Sequence, residues 1–137
     1  MKDSIVFTNG CFDIIHPGHI TLLREAKSLG DHLIIGLNSD SSVKMLKGSS
    51  RPIVPQESRK LILESIKYVD EVIIFDQMDP LSLIMKIKPN VLVKGGDYQA
   101  DEVIGSQFVK GYGGSVVIIN FLEGFSTTSI INDFKRK

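Results

Sequence analysis

The chain has 137 residues, 42% hydrophobic and 23% charged, which fits one soluble globular domain, residues 1–137, with a single core. Sixteen basic residues balance sixteen acidic ones. That argues against a nucleic-acid partner, which needs net positive potential, but leaves room for a local basic pocket holding a small polyanion. A lone cysteine, Cys11, excludes an intrachain disulfide. No charged-then-apolar leader opens the chain and no apolar run reaches membrane-spanning length, so a cytoplasmic location without a membrane partner is expected.

In chain order, Ser4 to Thr8 reads as a buried strand, and Gly18 to Leu29 as a helix closed by Gly30. His32 to Leu37 is a second strand. A polar, lysine-bearing loop is expected from Asn38 to Pro55, followed by an amphipathic helix from Gln56 to Val69. Glu71 to Phe75 makes a third strand, and Leu81 to Ile87 a short helix stopped by Lys88-Pro89-Asn90. Val91 to Val93 is a fourth strand, running into Lys94-Gly95-Gly96-Asp97. Glu102 to Tyr112 reads as helix and Ser115 to Asn120 as a fifth strand. Thr127 to Lys135 closes the chain as a helix, with Ser126 as its N-cap.

Strands and helices that alternate, with continuous apolar strands, predict an α/β fold: a doubly wound parallel sheet covered on both faces, three layers deep. Ligands of such sheets bind beyond the carboxyl ends of the strands. The chemically suggestive residues follow strands here, and the loop from Asn38 is long enough to suggest function.

The turn after the first strand is the most informative piece, His16-Pro17-Gly18-His19. A helix N-terminus offers free N–H groups and a positive dipole end, which favour an anion. Gly18 allows close backbone approach, and His19 in the first turn leans back towards the loop, so both imidazoles would face one phosphate. Two isolated histidines are by default ordinary surface or core-edge residues, and neither His32 nor Cys11 is spaced to complete a zinc site. Main-chain N–H groups of Thr8, Asn9, Gly10, Cys11 and Phe12 form a tight strand exit suited to phosphate oxygens, or a plain turn. Lys44 and Lys47 are flexible point charges suited to phosphates, or solvated surface lysines. Arg59, a cation near a helix start, costs that helix a little and so points to a ligand contact. Lys94, Gly95 and Gly96 leave a strand with room for a base or sugar, or make a simple turn. Ser126, Thr127 and Thr128 place hydroxyls at a helix start, a phosphate site. The chain offers no convincing nucleophile–base pair, which favours direct displacement at phosphorus, where positioning and charge stabilisation supply the catalysis and Mg2+ assists. A Gly-x-x-x-x-Gly-Lys-Ser/Thr loop is absent.

These residues resemble the cytidylyltransferase-like nucleotidyltransferases, which carry a His-x-Gly-His signature on a Rossmann-like fold. The likeness runs from Ile5 to Ile131. Asn38-Ser39-Asp40, Lys47-Gly48 with Ser50-Arg51-Pro52, Val93 to Tyr98 and Gly124 to Thr128 look most like the heptose 1-phosphate adenylyltransferase domain of bacterial ADP-heptose synthases. The resemblance implies a Rossmann-like five-stranded sheet and transfer of AMP from ATP to a sugar 1-phosphate, releasing pyrophosphate, for lipopolysaccharide or surface-glycan precursors. A GTP- or CTP-dependent enzyme acting on another sugar or alcohol phosphate, such as glycerol 3-phosphate, is the alternative. By position, the resemblance assigns His16 and His19 to the reacting phosphates, Lys44 or Lys47 to the nucleotide or sugar phosphate, and Arg59 with Ser126 to Thr128 to the triphosphate. Asp13, Asn38 and Asp97 are assigned to the second substrate. Glycerol-phosphate enzymes carry an arginine before the segment matching Glu123 to Thr128, and this chain has none there. That domain is often fused to a sugar kinase; these 137 residues include none, so a separate upstream kinase is the expected partner. Dimers are common among enzymes of this kind.

Overall fold

In a computed structural model of the chain, residues 3–96, 98–120 and 127–136 are described. Five strands form one sheet: β1 (Ile5–Gly10), β2 (His32–Asn38), β3 (Glu71–Phe75), β4 (Val91–Gly95) and β5 (Ser115–Ile119), in the order β3-β2-β1-β4-β5. Every pair is parallel, with Val6 opposite both Leu33 and Val91. Parallel neighbours need crossovers, and helices supply them: α1 (Pro17–Lys27), α2 (Asp40–Lys47), α3 (Gln56–Glu64), α4 (Leu81–Ile87), α5 (Ser106–Gly111) and α6 (Thr127–Arg136).

Alternation along the strands divides the core in two. Val6, Leu33, Ile35, Leu37 and Val93 pack with Leu22, Leu23 and Ala26 of α1 and Leu63 of α3. Phe7, Ile34 and Leu92 point the other way, onto Ile84 of α4 and Val109 of α5. Helices therefore cover both faces, as the unbroken apolar strands predicted. Gly36 in β2 has no side chain because the ring of Phe7 lies across it; a Cβ there would stand 2.7 Å from Phe7 Cζ. Among the described residues no helix is long and apolar enough to cross a membrane.

The sequence reading missed one helix and overextended others. Residues expected as loop form α2, started by Ser39, whose side chain accepts from the Ser42 N–H, with Asp40 in the first turn. Gly48 ends α2 at φ 101°. The third helix stops at Glu64 rather than Val69. A short 3₁₀ turn, Ala100–Glu102, and extended Val103 replace the start expected for α5. Gly105, at φ 89°, fits against Ile84 where a side chain would clash.

Candidate active site

The carboxyl ends of the strands surround a cavity of about 570 Å³. It is lined from the β1 exit by Asn9 to Asp13, from α1 by His16, His19 and Leu22, and from β2 by Asn38. The end of α2 adds Leu46 and Lys47, the β3 exit adds Met78 to Pro80, and the β4 exit adds Lys94, Gly95 and Tyr98. These segments are far apart in sequence, and the parallel sheet brings them to one edge.

The two histidines build the start of α1. Nδ1 of His16, the N-cap, accepts from the Gly18 N–H at 3.1 Å, and Nδ1 of His19 accepts from the His16 N–H at 3.2 Å. This is a capping box with imidazoles in place of the usual hydroxyl and carboxylate, and Pro17 at N1 suits the same turn. A ring nitrogen that accepts a hydrogen bond carries no proton, so each neutral ring holds its proton on Nε2. Burial lowers the pKa of His16; burial, reinforced by His16, lowers that of His19 to about 4. Ring centroids 3.9 Å apart leave little room for two imidazolium charges. At neutral pH the pair is uncharged and supplies Nε2–H donors. Phe12, in the left-handed region at φ 46°, packs its ring on His19 with centroids 5.2 Å apart.

This coupling sets a pH dependence. Between about pH 6.5 and about pH 4 the unfolded chain takes up a proton that folded His19 refuses, so stability is complete above that window and falls on acidification through it. Protonating His19 Nδ1 would also set two N–H groups against each other in the capping box. A His19→Gln protein, whose amide oxygen can still accept from the His16 N–H, is expected to lose part of this slope. Thermal unfolding of both proteins at pH 7.5, 6, 5 and 4.5 checks it.

Two predicted site residues prove structural. Asp13 is 2% exposed; its carboxylate accepts from the Ile53 and Val54 N–H groups and from Arg51 Nε at 2.7 Å. Burial alone would raise its pKa, but the bonds from Val54, Ile53 and Arg51 outweigh that and hold the carboxyl below its usual range. Asp13 therefore fastens the segment after α2 over the cavity and has no oxygen to spare for a substrate. Arg59 is 0% exposed. Its Nε donates to Val54 O, Nη1 to Cys11 O and Asn38 O, and Nη2 to Asp40 Oδ1, all between 2.7 and 2.8 Å. It ties together the β1 exit, the β2 end, the 51–54 segment and α2, rather than holding a triphosphate.

Cations remain for an anion. Lys47 ends α2 at the cavity wall, whereas Lys44 is exposed on α2 and does not line the cavity. Lys94 also lines it, with Nζ 5.1 Å from the ring centre of Tyr98. Burial lowers its pKa, with Cys11 opposing and Lys47 adding to the shift. Cys11 is half-buried; burial raises its pKa against the pull of Lys47, Arg59 and Arg51, so its thiol stays protonated and is a poor nucleophile.

Asn9, Gly10, Cys11, Phe12, His16, His19, Asn38, Lys47, Lys94 and Gly95 thus meet at one cavity. Gly18 is buried at the start of α1, and its N–H serves the His16 ring rather than a ligand. Thr8 is fully buried beside the site, with no hydrogen-bond partner for its Oγ1 among the described residues. Gly96 is buried and donates its N–H to Ile119 O. Asp97 and Ser126 lie outside the described residues, and Thr127 and Thr128 are described only as the first backbone turn of α6. Sequence reasoning missed the β3 exit, Met78 to Pro80, although the rule that ligands sit beyond strand ends points there too.

Comparisons agree with this architecture. The model of the cytidylyltransferase-like family matches residues 7–133. The chain is 55% identical over 134 residues to the "Bifunctional protein HldE" of Campylobacter concisus, covering 98% of this chain and 28% of that protein. It is 54% identical over 127 residues to the protein of the same name from Nitrobacter winogradskyi, covering 93% and 26%. The chain thus spans about a quarter of the length of these curated relatives. Among solved structures, the "lipopolysaccharide core biosynthesis protein" of Thermoplasma volcanium superposes with a TM-score of 0.71 at 30% identity, over 88% of this chain and 98% of that one.

Proposed function

Since the chain belongs to the cytidylyltransferase-like family, we propose that it is a nucleotidyltransferase that moves AMP from ATP to a heptose 1-phosphate, giving ADP-heptose and pyrophosphate. The observation that carries this reading is the neutral histidine pair, its Nδ1 atoms tied to backbone N–H groups, at a cavity that also holds Lys47 and Lys94. The sugar-phosphate oxygen attacks the α-phosphorus, one new P–O bond forms, and the bond to the leaving pyrophosphate breaks. In that displacement charge builds on the phosphate oxygens, and preorganised donors and cations stabilise it. His16 and His19 donate from Nε2 to the reacting phosphates; Lys47 and Lys94 hold the remaining charge. Backbone of the β1 exit, Asn9 to Phe12, cradles the phosphates.

Among the described residues no three His, Cys, Asp or Glu side chains converge as a metal site. We take a divalent ion, Mg2+, to come with the triphosphate and neutralise part of its charge. The choice of ATP and a heptose is supported by the identity to the HldE proteins and by the missing arginine before Glu123. Those relatives are named bifunctional and this chain matches about a quarter of their length, so we assign it one of their activities. We take the sugar 1-phosphate to come from a separate kinase-type reaction, and the chain to work in the cytoplasm beside it.

The test is pyrophosphate release with each of four nucleoside triphosphates, Mg2+ and a panel of sugar 1-phosphates and glycerol 3-phosphate. Release with ATP and heptose 1-phosphate is expected. Release with CTP or GTP alone, or with glycerol 3-phosphate in preference to the sugar, overturns the substrate assignment.

A further inference from the structure

Two carboxylates line the cavity among the described residues, Asp13 and Asp79. Asp13 is consumed by Arg51, Ile53 and Val54. Asp79 is not: it is exposed at the rim of the cavity, Oδ1 accepts from the Leu81 N–H at 3.0 Å, and Oδ2 has no protein partner among the described residues. A carboxylate with free acceptor capacity repels a phosphate, so its place at the wall of a phosphate cavity marks where something other than phosphate lies.

Topology says which part of the ligand that is. In this sheet the strand order turns back between β1 and β4, and nucleotides of such folds occupy that crevice. Lys94 and Gly95 stand there, next to the histidines that follow β1. Asp79 lies at the opposite side, beyond the outermost strand β3, whose last residue Phe75 pairs with Asn38 at the end of β2; both Asp79 and Asn38 line the cavity. Resting on the proposed sugar-phosphate reading, we infer that Asp79 is a specificity-determining residue that accepts hydrogen bonds from hydroxyl groups of the acceptor sugar. Hydroxyl-to-carboxylate bonds are charge-assisted, and Asn38 adds an amide that can both donate and accept.

Asp79→Asn is the informative variant, because its amide oxygen can still accept from the Leu81 N–H and preserve the start of α4. Initial-rate measurements on the purified protein with ATP, Mg2+ and heptose 1-phosphate are expected to show KM for the sugar phosphate raised about tenfold to a hundredfold. KM for ATP, the Mg2+ requirement and the unfolding temperature should stay at parent values, and inhibition by inorganic phosphate should not weaken. A sugar-phosphate KM within twofold of the parent's overturns the inference. So does a rise in KM for ATP, which would place Asp79 at the ribose, or a shifted Mg2+ requirement, which would make it a metal ligand. If the parent protein itself releases no pyrophosphate with any sugar 1-phosphate, the proposed function fails, and this inference with it.

Discussion

Replacing His16 by Asn is expected to lower turnover about a hundred- to thousand-fold, the usual cost of one preorganised donor to a developing oxyanion, while leaving the protein as stable as its parent. His16 does two jobs. Its Nδ1 caps α1 by accepting from the Gly18 N–H, and its Nε2–H faces the chemistry in the reading above. Asn is a preferred N-cap and keeps the first job without the second. His16→Ala gives up both, so it should lose the same turnover and, in addition, about 0.5–2 kcal/mol of stability. Urea unfolding and pyrophosphate release on the two variants separate the roles. Parent-like turnover in His16→Asn would remove His16 from the mechanism. Binding of ATP, followed by its thermal shift, should survive in both variants, because lysines supply most of the charge.

Arg59→Met is expected to produce the largest loss of stability of any single change considered. The guanidinium is 0% exposed and serves three carbonyls and one carboxylate. Removing one partner of a buried ionic network typically costs about 3–5 kcal/mol. The lower figure applies here, because Asp40 is 37% exposed and water can reach it. Arg59→Lys should recover little, since one ammonium cannot span four acceptors set out for a planar fork. The midpoint of urea unfolding gives the result. If Arg59 held the triphosphate instead, Arg59→Lys would unfold like the parent and show only a raised KM for ATP, and the structural assignment would be wrong.

Arg59 also shows where sequence stops being legible. A cation near a helix start suggested a ligand contact, because the helix dipole gives it no reason to be there. The real reason is non-local: carbonyls at Cys11 and Asn38, which no local pattern reveals. One local signal was available, since Arg59 stands four residues before Leu63 on the buried face of α3. Asp13 is similar; its partners are Arg51, Ile53 and Val54, roughly forty residues on. What could be read were features written in short windows. Continuous apolar runs marked all five strands, and the His-Pro-Gly-His turn marked the start of α1. The expected meeting of strand exits at one edge followed from parallel topology alone. Helix α2 was missed because its eight residues begin Asp-Ser-Ser, which compete for the backbone as a loop would. Ser39 as its cap was the overlooked clue.

Every wall of the cavity is contributed by a different crossover of the parallel sheet. No hairpin, and no pair of neighbouring elements, contains enough of it to grip a nucleotide. Competence is therefore a property of the finished chain: a folding intermediate with one helix undocked has lysines and imidazoles but no site. The reverse also holds. A ligand seated across the exits of β1, β2 and β4 would act as a cross-brace, adding to the ties that Arg59 and Asp13 make between the first two of them, and it would favour the complete fold over every partial one.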